Sequence, residues 1–417
     1  MDTPDNTLDM LLKAEMPTQE EMKQMHENYL NHLRSNPNNL SFWFPKIKDV
    51  TGFGIPETTV IPVPDEVIPA FCLEQDGDEE KVARFVHDSV MPIVDAMYGL
   101  PFIKNGCYSK KFDFKACCPD DAKEETILKC IKDIQYDALC WKNSAGLSEI
   151  VIRERILSPE GAPAIYTGMP LNPEFRLFYD FDQNIPLYVV NYWDRDYCQE
   201  AISRNAKDGE AYEKRYPSLL QEYCRAVPYV FKLAIEGLQK VEGLSGIWSV
   251  DVMLDSNGVP WLIDMAVAQH SNYWDETKAA LCLLIPDTVR WMESIPNRPD
   301  RLRDMHRFRL KTWEFLTGQP NCFSVDVQND VAELYAIEKD GSCDATTGLI
   351  RRFIEEKLPD NHRDWLEEHD ALIPQLEAEP NPFSPPYDHL HQRLNDLCQA
   401  MFVASLNNFL KSKNENQ

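Results

Sequence analysis

No apolar run in this chain approaches the ~20 residues needed to cross a bilayer. The amino terminus, Met1-Asp2-Thr3-Pro4-Asp5, has no basic-then-apolar leader. Membrane binding and export are not expected, and a cytoplasmic location is. Basic residues are scarce: 42 Lys and Arg stand against 68 Asp and Glu, a formal charge of −26. A general nucleic-acid binder needs a basic surface to displace counterions, so that class is excluded. A local basic cleft for an anionic ligand inside an acidic shell is not. The 12 cysteines are scattered without a Cys-x-x-Cys pair, which removes the common zinc and redox motifs and leaves an expectation of reduced, mostly buried thiols. The 9 histidines show no His-Glu-x-x-His spacing. Gly-x-x-x-x-Gly-Lys-Ser/Thr and Gly-x-Gly-x-x-Gly are both missing, so the two commonest nucleotide loops are excluded.

What remains is an ordinary globular composition, 43% hydrophobic and 26% charged over 417 residues, long enough for two or three domains. Residues 1–78 read as a polar, helix-prone portion that turns β-like at Thr58–Pro62. Met22, Met25, Tyr29 and Leu33 form a weak apolar stripe there, expected to pack on the body. Residues 79–274 alternate helices, strands and hairpins, an α+β pattern. An amphipathic helix spans Asp78 to Leu100, with Val82, Phe85, Val86, Val90 and Ile93 on one face. A strand begins at Pro101, a helix covers Thr126 to Ala138, and strands cover Glu149–Glu154, Glu174–Phe178 and Leu187–Asn191. A long helix is expected from about Arg225 to Val241. Residues 275–417 read as mainly helical, punctuated by Pro286, Pro296, Pro299 and Pro320, with a last helix at Tyr387 to Lys411.

The strongest local signal is Trp248 to Asp264. Asn257-Gly258 suits a tight two-residue hairpin loop, because both residues accept positive φ. Residues whose numbers add up to 515 then face each other, which sets Asp251 opposite Asp264 and Met253 opposite Leu262, with Val252 and Ile263 on the other face. Two opposed carboxylates repel unless something cationic lies between them. On apolar strands this is where a hard divalent ion, Mg²⁺ above all, is expected. The alternative is a longer turn, a slipped register and one solvated Asp.

Four further clusters carry charge into β-like sequence. Lys104 lies in the apolar run Phe102-Ile103-Lys104, before Asn105-Gly106 and Ser109-Lys110-Lys111. A buried lysine needs an anion, and a small-residue turn with more lysines has the parts of a phosphate cradle. The alternative is an edge-strand lysine facing water. Arg153 and Glu154 end the run Ile150-Val151-Ile152, as an exposed strand end or as a linker whose polar groups read an adenosine. Glu174, Arg176 and Phe178 share a face by alternation, so Arg176 is either in a cross-strand ion pair or aimed at phosphate oxygens. Tyr192-Trp193-Asp194 reads as a cleft wall without assigned chemistry.

In this order the elements resemble the ATP-grasp superfamily over roughly Phe85 to Ser271. The pattern is most similar to the cell-division-cycle protein 123 branch, through Val151-Ile152-Arg153, Glu174-Phe175-Arg176, Asp194-Arg195-Asp196 and Asp264-Met265-Ala266. The resemblance implies an α+β core at 79–274, two α+β subdomains gripping a nucleotide, with an N-terminal α/β portion and a helical C-terminal extension. It implies ATP contacts from Lys104 and Arg176, a lid at Ser109, Lys110 and Lys111, adenosine held near Arg153 and Glu154, and Mg²⁺ on Asp251 and Asp264. Where that family has a metal-binding Asn, this chain has Ala266, with Gln269, His270 and Ser271 as nearby substitutes.

Two functions compete on this basis. One is an ATP-dependent carboxylate–amine ligase working through an acylphosphate on a small acid or a peptide, with Lys104 and Arg176 stabilising the transferred phosphoryl group. The other is an ATP-binding assembly factor that holds a protein partner with little turnover. The arginines of the segment Arg290 to Lys311 read as a solvated helix face.

Overall fold

A computed structural model describes residues 18–71, 77–141, 144–158, 161–285, 314–318, 345–379 and 385–415. The segment Arg290 to Lys311, its arginines and Pro286, Pro296, Pro299 and Pro320 lie outside them.

The fold is α+β, built on two antiparallel sheets. Strands β1 (Thr58–Pro62), β2 (Pro101–Asn105) and β3 (Glu149–Glu154) form a three-stranded sheet in the order β1-β3-β2. Alternation sorts its two faces. Ile61, Ile103, Ile150 and Ile152 enter a core with Val82, Phe85, Val86 and Val90 and with Ile127, Ile131 and Ile134. Those residues come from the helix Asp78–Phe85, a π segment Val86–Val90 and the helix Glu124–Trp141. The opposite face carries Thr58, Lys104 and Arg153. One strand of this sheet comes from the 1–78 portion, and Leu30 and Leu33 of the helix Gln19–Ser35 share its core. A two-strand ribbon follows, β4 (Ala164–Ile165) with β5 (Met169–Pro170), which sequence periodicity does not reveal.

The second sheet has the order β7-β6-β8-β9, from β6 (Glu174–Asp180), β7 (Ile185–Asn191), β8 (Ile247–Leu254) and β9 (Pro260–Val267). Its inner face, with Phe175, Leu177, Tyr179, Val250 and Val252, packs on Tyr223, Val227, Val230 and Phe231 of the helix Ala206–Leu238. That helix begins well before Arg225 and runs through Pro217 and Pro228. Its apolar stripe buried on the sheet outweighs the hydrogen bonds that the two prolines remove.

The hairpin β8–β9 departs from the expected two-residue loop. The loop takes in Asp255 to Val259, and next to it Leu254 pairs with Pro260, Met253 with Trp261 and Val252 with Leu262. Asp255 explains the width: its Oδ1 accepts from the backbone N–H groups of Asn257 at 2.7 Å and Val259 at 2.9 Å, and of the Asn-Gly pair Gly258 alone has positive φ. A β-bulge then lies between Asp251 and Val252, leaving Ile263 as the extra residue of β9, and beyond it Asp251 does pair with Asp264. The bulge sends Leu262 and Met265 into the core and turns Asp264 to the other face.

Two other expectations are corrected. Met22, Met25 and Tyr29 are exposed, because the residues that the helix Gln19–Ser35 buries in the core are Leu30 and Leu33. Cys224 is disulfide-bonded, while Cys107, Cys117, Cys118, Cys130, Cys140, Cys198, Cys282 and Cys398 are free. Disulfide pairing depends on Cβ proximity in the fold, which scattered spacing does not encode.

Candidate functional site

The two sheets meet where the polar face of β2 and β3 reaches β9, the edge strand of the second sheet. One row of residues crosses that sheet: Arg176 on β6 pairs with Asp251 on β8, which pairs with Asp264 on β9. Lys104 arrives from the facing sheet. The order of charge is therefore cation, anion, anion, cation. Arg176 grips Asp251 through two parallel hydrogen bonds, Nε to Oδ1 at 2.8 Å and Nη2 to Oδ2 at 2.7 Å. The Lys104 ammonium lies 3.1 and 3.0 Å from the two oxygens of Asp264. Lys104 is buried, on the edge strand but pointing inward, so its charge needs this anion. The repulsion between the paired aspartates is offset by a cation at each end of the row.

The two aspartates are not equivalent. Asp251 is buried with both oxygens committed to Arg176. The Asp264 side chain is 40% exposed and lines a cavity of about 1010 Å³. Of the two, Asp264 alone is open to a cation from the cavity, and Asp251 would have to release Arg176 to share it. Among the described residues, no group of three or more His, Cys, Asp or Glu could hold a metal unaided.

Around this row the local charges are tuned by burial. Burial works against the Arg176 guanidinium, but the adjacent Asp251 outweighs it and raises its pKa. Burial pushes the Glu174 carboxyl up to about 7, with Lys111 opposing and Asp251 adding to the rise. Burial lowers the Lys111 ammonium, with Glu174 opposing. Lys111 donates to the Tyr192 hydroxyl and lies 4.4 Å from that ring's centre, and the Arg176 guanidinium lies 5.0 Å from the same ring.

The structure thus brings Lys104, Lys111, Arg176, Asp251 and Asp264 together, and Ser109 lines the cavity beside Lys111. Lys110 turns aside, its ammonium 3.9 Å from Asp137. Arg153 is buried, donating to Thr58 Oγ1 at 3.0 Å and to the carbonyl of Ile263, the bulged residue. Burial among these neutral acceptors pushes it down to about 10. It clamps the bulge that aims Asp264. Glu154 is exposed, and its Oε2 accepts from Glu57 N at 3.2 Å. Ala266, His270 and Ser271 line the cavity, while Gln269 is exposed and does not. Sequence reasoning anticipates Tyr192 and Trp193 as a wall. It misses Tyr197 and Tyr273, whose rings meet at a tilt with centroids 4.3 Å apart, and Asn38, which bonds His270 at 2.8 Å and accepts from Val267 N. The turn-rich run Asn36-Pro37-Asn38-Asn39 marks a loop, but nothing local tells that it borders this cavity.

No family model and no curated protein sequence matches the chain. Among solved structures it is similar to the ATP-grasp ligase PsnB complexed with precursor peptide PsnA2 and AMPPNP, at 10% identity and a TM-score of 0.21, covering 55% of this chain and 49% of that one. It is also similar to D-alanyl-alanine synthetase A from Vibrio cholerae (10%, TM-score 0.22, 55% of each chain). A third is the D-alanine-D-alanine ligase from Coxiella burnetii (10%, TM-score 0.25, 72% of this chain and 62% of that one). The chain spans about half the length of the first of these.

Proposed function

We propose that this chain is an ATP-grasp protein that binds Mg²⁺-ATP between its two sheets and uses it to activate a carboxylate for attack by an amine. The observation that carries the reading is the row Arg176, Asp251, Asp264 and Lys104, which places two cations and two carboxylates where the sheets face each other. Lys104, Lys111 and Arg176 would neutralise the triphosphate, and Ser109 to Lys111 would cover it. Arg153 and Glu154 would border the adenosine. Asp264 and Asp251 would hold Mg²⁺, which when bound draws charge from the phosphate oxygens.

In this reaction a carboxylate oxygen of the acid attacks the γ-phosphorus, the bond to the β–γ bridging oxygen breaks, and ADP leaves. The amine then attacks the acyl carbon, inorganic phosphate departs, and the amine proton is released. Alignment and charge neutralisation suffice for both steps, so no nucleophilic side chain is required. Incubation with ATP, a panel of acids and hydroxylamine tests this. Acid-dependent ADP release with hydroxamate formation, lost in Lys104→Ala, is expected; no ADP release with any acid would contradict turnover.

One observation favours the second reading, nucleotide-dependent binding of a protein partner with little turnover. Ala266 offers no side-chain oxygen beside Asp264. In that case ATP binding survives, ADP release stays at background, and one stoichiometric protein is retained in its presence.

A further inference from the structure

Asn38 makes two contacts that together fix the chemistry of a histidine on the cavity wall. The Val267 backbone N–H donates to its Oδ1 at 2.7 Å, and its Nδ2 lies 2.8 Å from His270 Nδ1. A backbone amide can only donate, so the Asn38 oxygen must face Val267 and its NH₂ group must face the ring. That NH₂ group in turn can only donate. His270 Nδ1 is therefore the acceptor, and the neutral ring carries its proton on Nε2. A proton on Nδ1 would set two donors against each other. Asn38 is itself held in place, because its backbone N–H donates to Asn36 Oδ1 at 3.0 Å.

The ring sits on a pinned segment. Ser271 N donates to the Ala268 carbonyl at 2.9 Å, and the Asn272 carbonyl accepts from Arg176 Nη1 at 3.3 Å. His270 lines the cavity, and its Nε2 has no partner among the described residues.

Position along β9 says what that N–H meets. Three contacts follow one another down the strand: the Ile263 carbonyl accepts from Arg153, Asp264 accepts from Lys104, and Val267 donates to Asn38. With adenosine expected beside Arg153, His270 lies beyond Asp264, on the side towards which the phosphates extend. Between the two the cavity wall is Ala266, whose methyl group leaves the gap open.

We infer that His270 donates a hydrogen bond from Nε2 to the terminal phosphate of the bound nucleotide, and that Asn38 is the residue that positions it. A histidine at this place is otherwise the natural base for the attacking amine or a substitute metal ligand. A ring protonated on Nε2 and tied at Nδ1 can do neither. As a ligand assignment this rests on the nucleotide reading; the tautomer does not.

Nitrogen-15 correlation spectra of the histidine side chains in the full chain test the tautomer, with His270→Gln identifying the signal by its loss. At a pH where the ring is neutral, Nε2 is expected to be the protonated nitrogen and Nδ1 the bare one. Asn38→Asp keeps an acceptor for Val267 but turns an oxygen to the ring, and should put a proton on Nδ1. Calorimetry tests the ligand. His270→Ala should weaken a non-hydrolysable ATP analogue with Mg²⁺ by roughly tenfold to a hundredfold, the worth of one hydrogen bond to a charged group, and leave ADP unchanged. His270→Gln, which keeps an N–H at similar reach, should recover most of that loss. A proton on Nδ1 in the unaltered protein, equal losses for the ATP analogue and ADP, no loss, or a glutamine variant as weak as the alanine one would each overturn the inference. No nucleotide binding by the unaltered protein would overturn the nucleotide reading and this ligand with it, while the spectra would still decide the tautomer.

Discussion

The two sheets that face each other hold their buried charges in different ways. On the three-stranded sheet, Lys104 and Arg153 point from β2 and β3 towards the other sheet, where Asp264 and the carbonyl of Ile263 accept from them. On the four-stranded sheet, Arg176 and Asp251 neutralise each other within the sheet plane. The first arrangement ties two bodies together, and a ligand that offered anionic oxygens could take over the lysine. The second is closed on itself. It positions Asp251 and Arg176 rigidly and leaves Asp264, opened to the cavity by the bulge, as the adaptable member of the row.

The largest effect on stability is expected where the closed pair is broken. Arg176→Met leaves Asp251 buried without its cation and should destabilise the fold by about 3–5 kcal/mol in chemical denaturation, as for other broken buried pairs. Lys104→Ala breaks the pair between the sheets, and because Asp264 is 40% exposed water can replace the ammonium. Its stability cost should stay near 1 kcal/mol, while nucleotide affinity falls by roughly a hundredfold, the worth of about two charge-assisted hydrogen bonds. Equal losses of stability in the two variants would remove the distinction between the sheets.

A third prediction concerns pH. Glu174 titrates at about 7 in the fold against 4.5 as its ordinary value, driven first by burial. Between those values the folded state binds more protons than the unfolded, so this group's contribution is full below 4.5 and declines as pH rises towards 7. Glu174→Gln should flatten the stability profile across that window and leave the rest of the curve in place. Smallest of all, Met22→Ser and Met25→Ser should change stability by no more than about 0.5 kcal/mol, since both side chains lie on the exposed half of their helix.

The strands are legible in the sequence because alternation and β-branched runs are local: β3 matches its expected bounds, and β1 lies where expected. The opposition of Asp251 and Asp264 is legible for a partly mistaken reason. The loop is wider than Asn257-Gly258 alone requires, and the bulge restores the pairing by one residue. Arg176 can be recognised as a paired arginine, but its partner cannot, because β6 meets β8 across a long intervening helix and no local pattern sets that register. Arg153 carries the same residue type and by its strand context groups with the nucleotide contacts, whereas its bonds go to Thr58 and the Ile263 carbonyl. The wall of the cavity draws on residues from His32 to Tyr273, which only the tertiary fold brings together.

The measurement that bears most directly on the nucleotide site is calorimetric titration of the full chain with a non-hydrolysable ATP analogue, with and without Mg²⁺, beside Asp264→Asn. Asp264→Asn keeps an oxygen that can accept from the buried Lys104 ammonium but removes its counter-charge, so a lowered thermal midpoint is expected and binding is compared well below it. Magnesium-dependent binding in the unaltered protein, lost in the variant at a temperature where it is still folded, is the expected result. Binding that ignores Mg²⁺ and survives Asp264→Asn, or no binding at all, would contradict the assignment of the row to a nucleotide and leave its carboxylates a structural role alone.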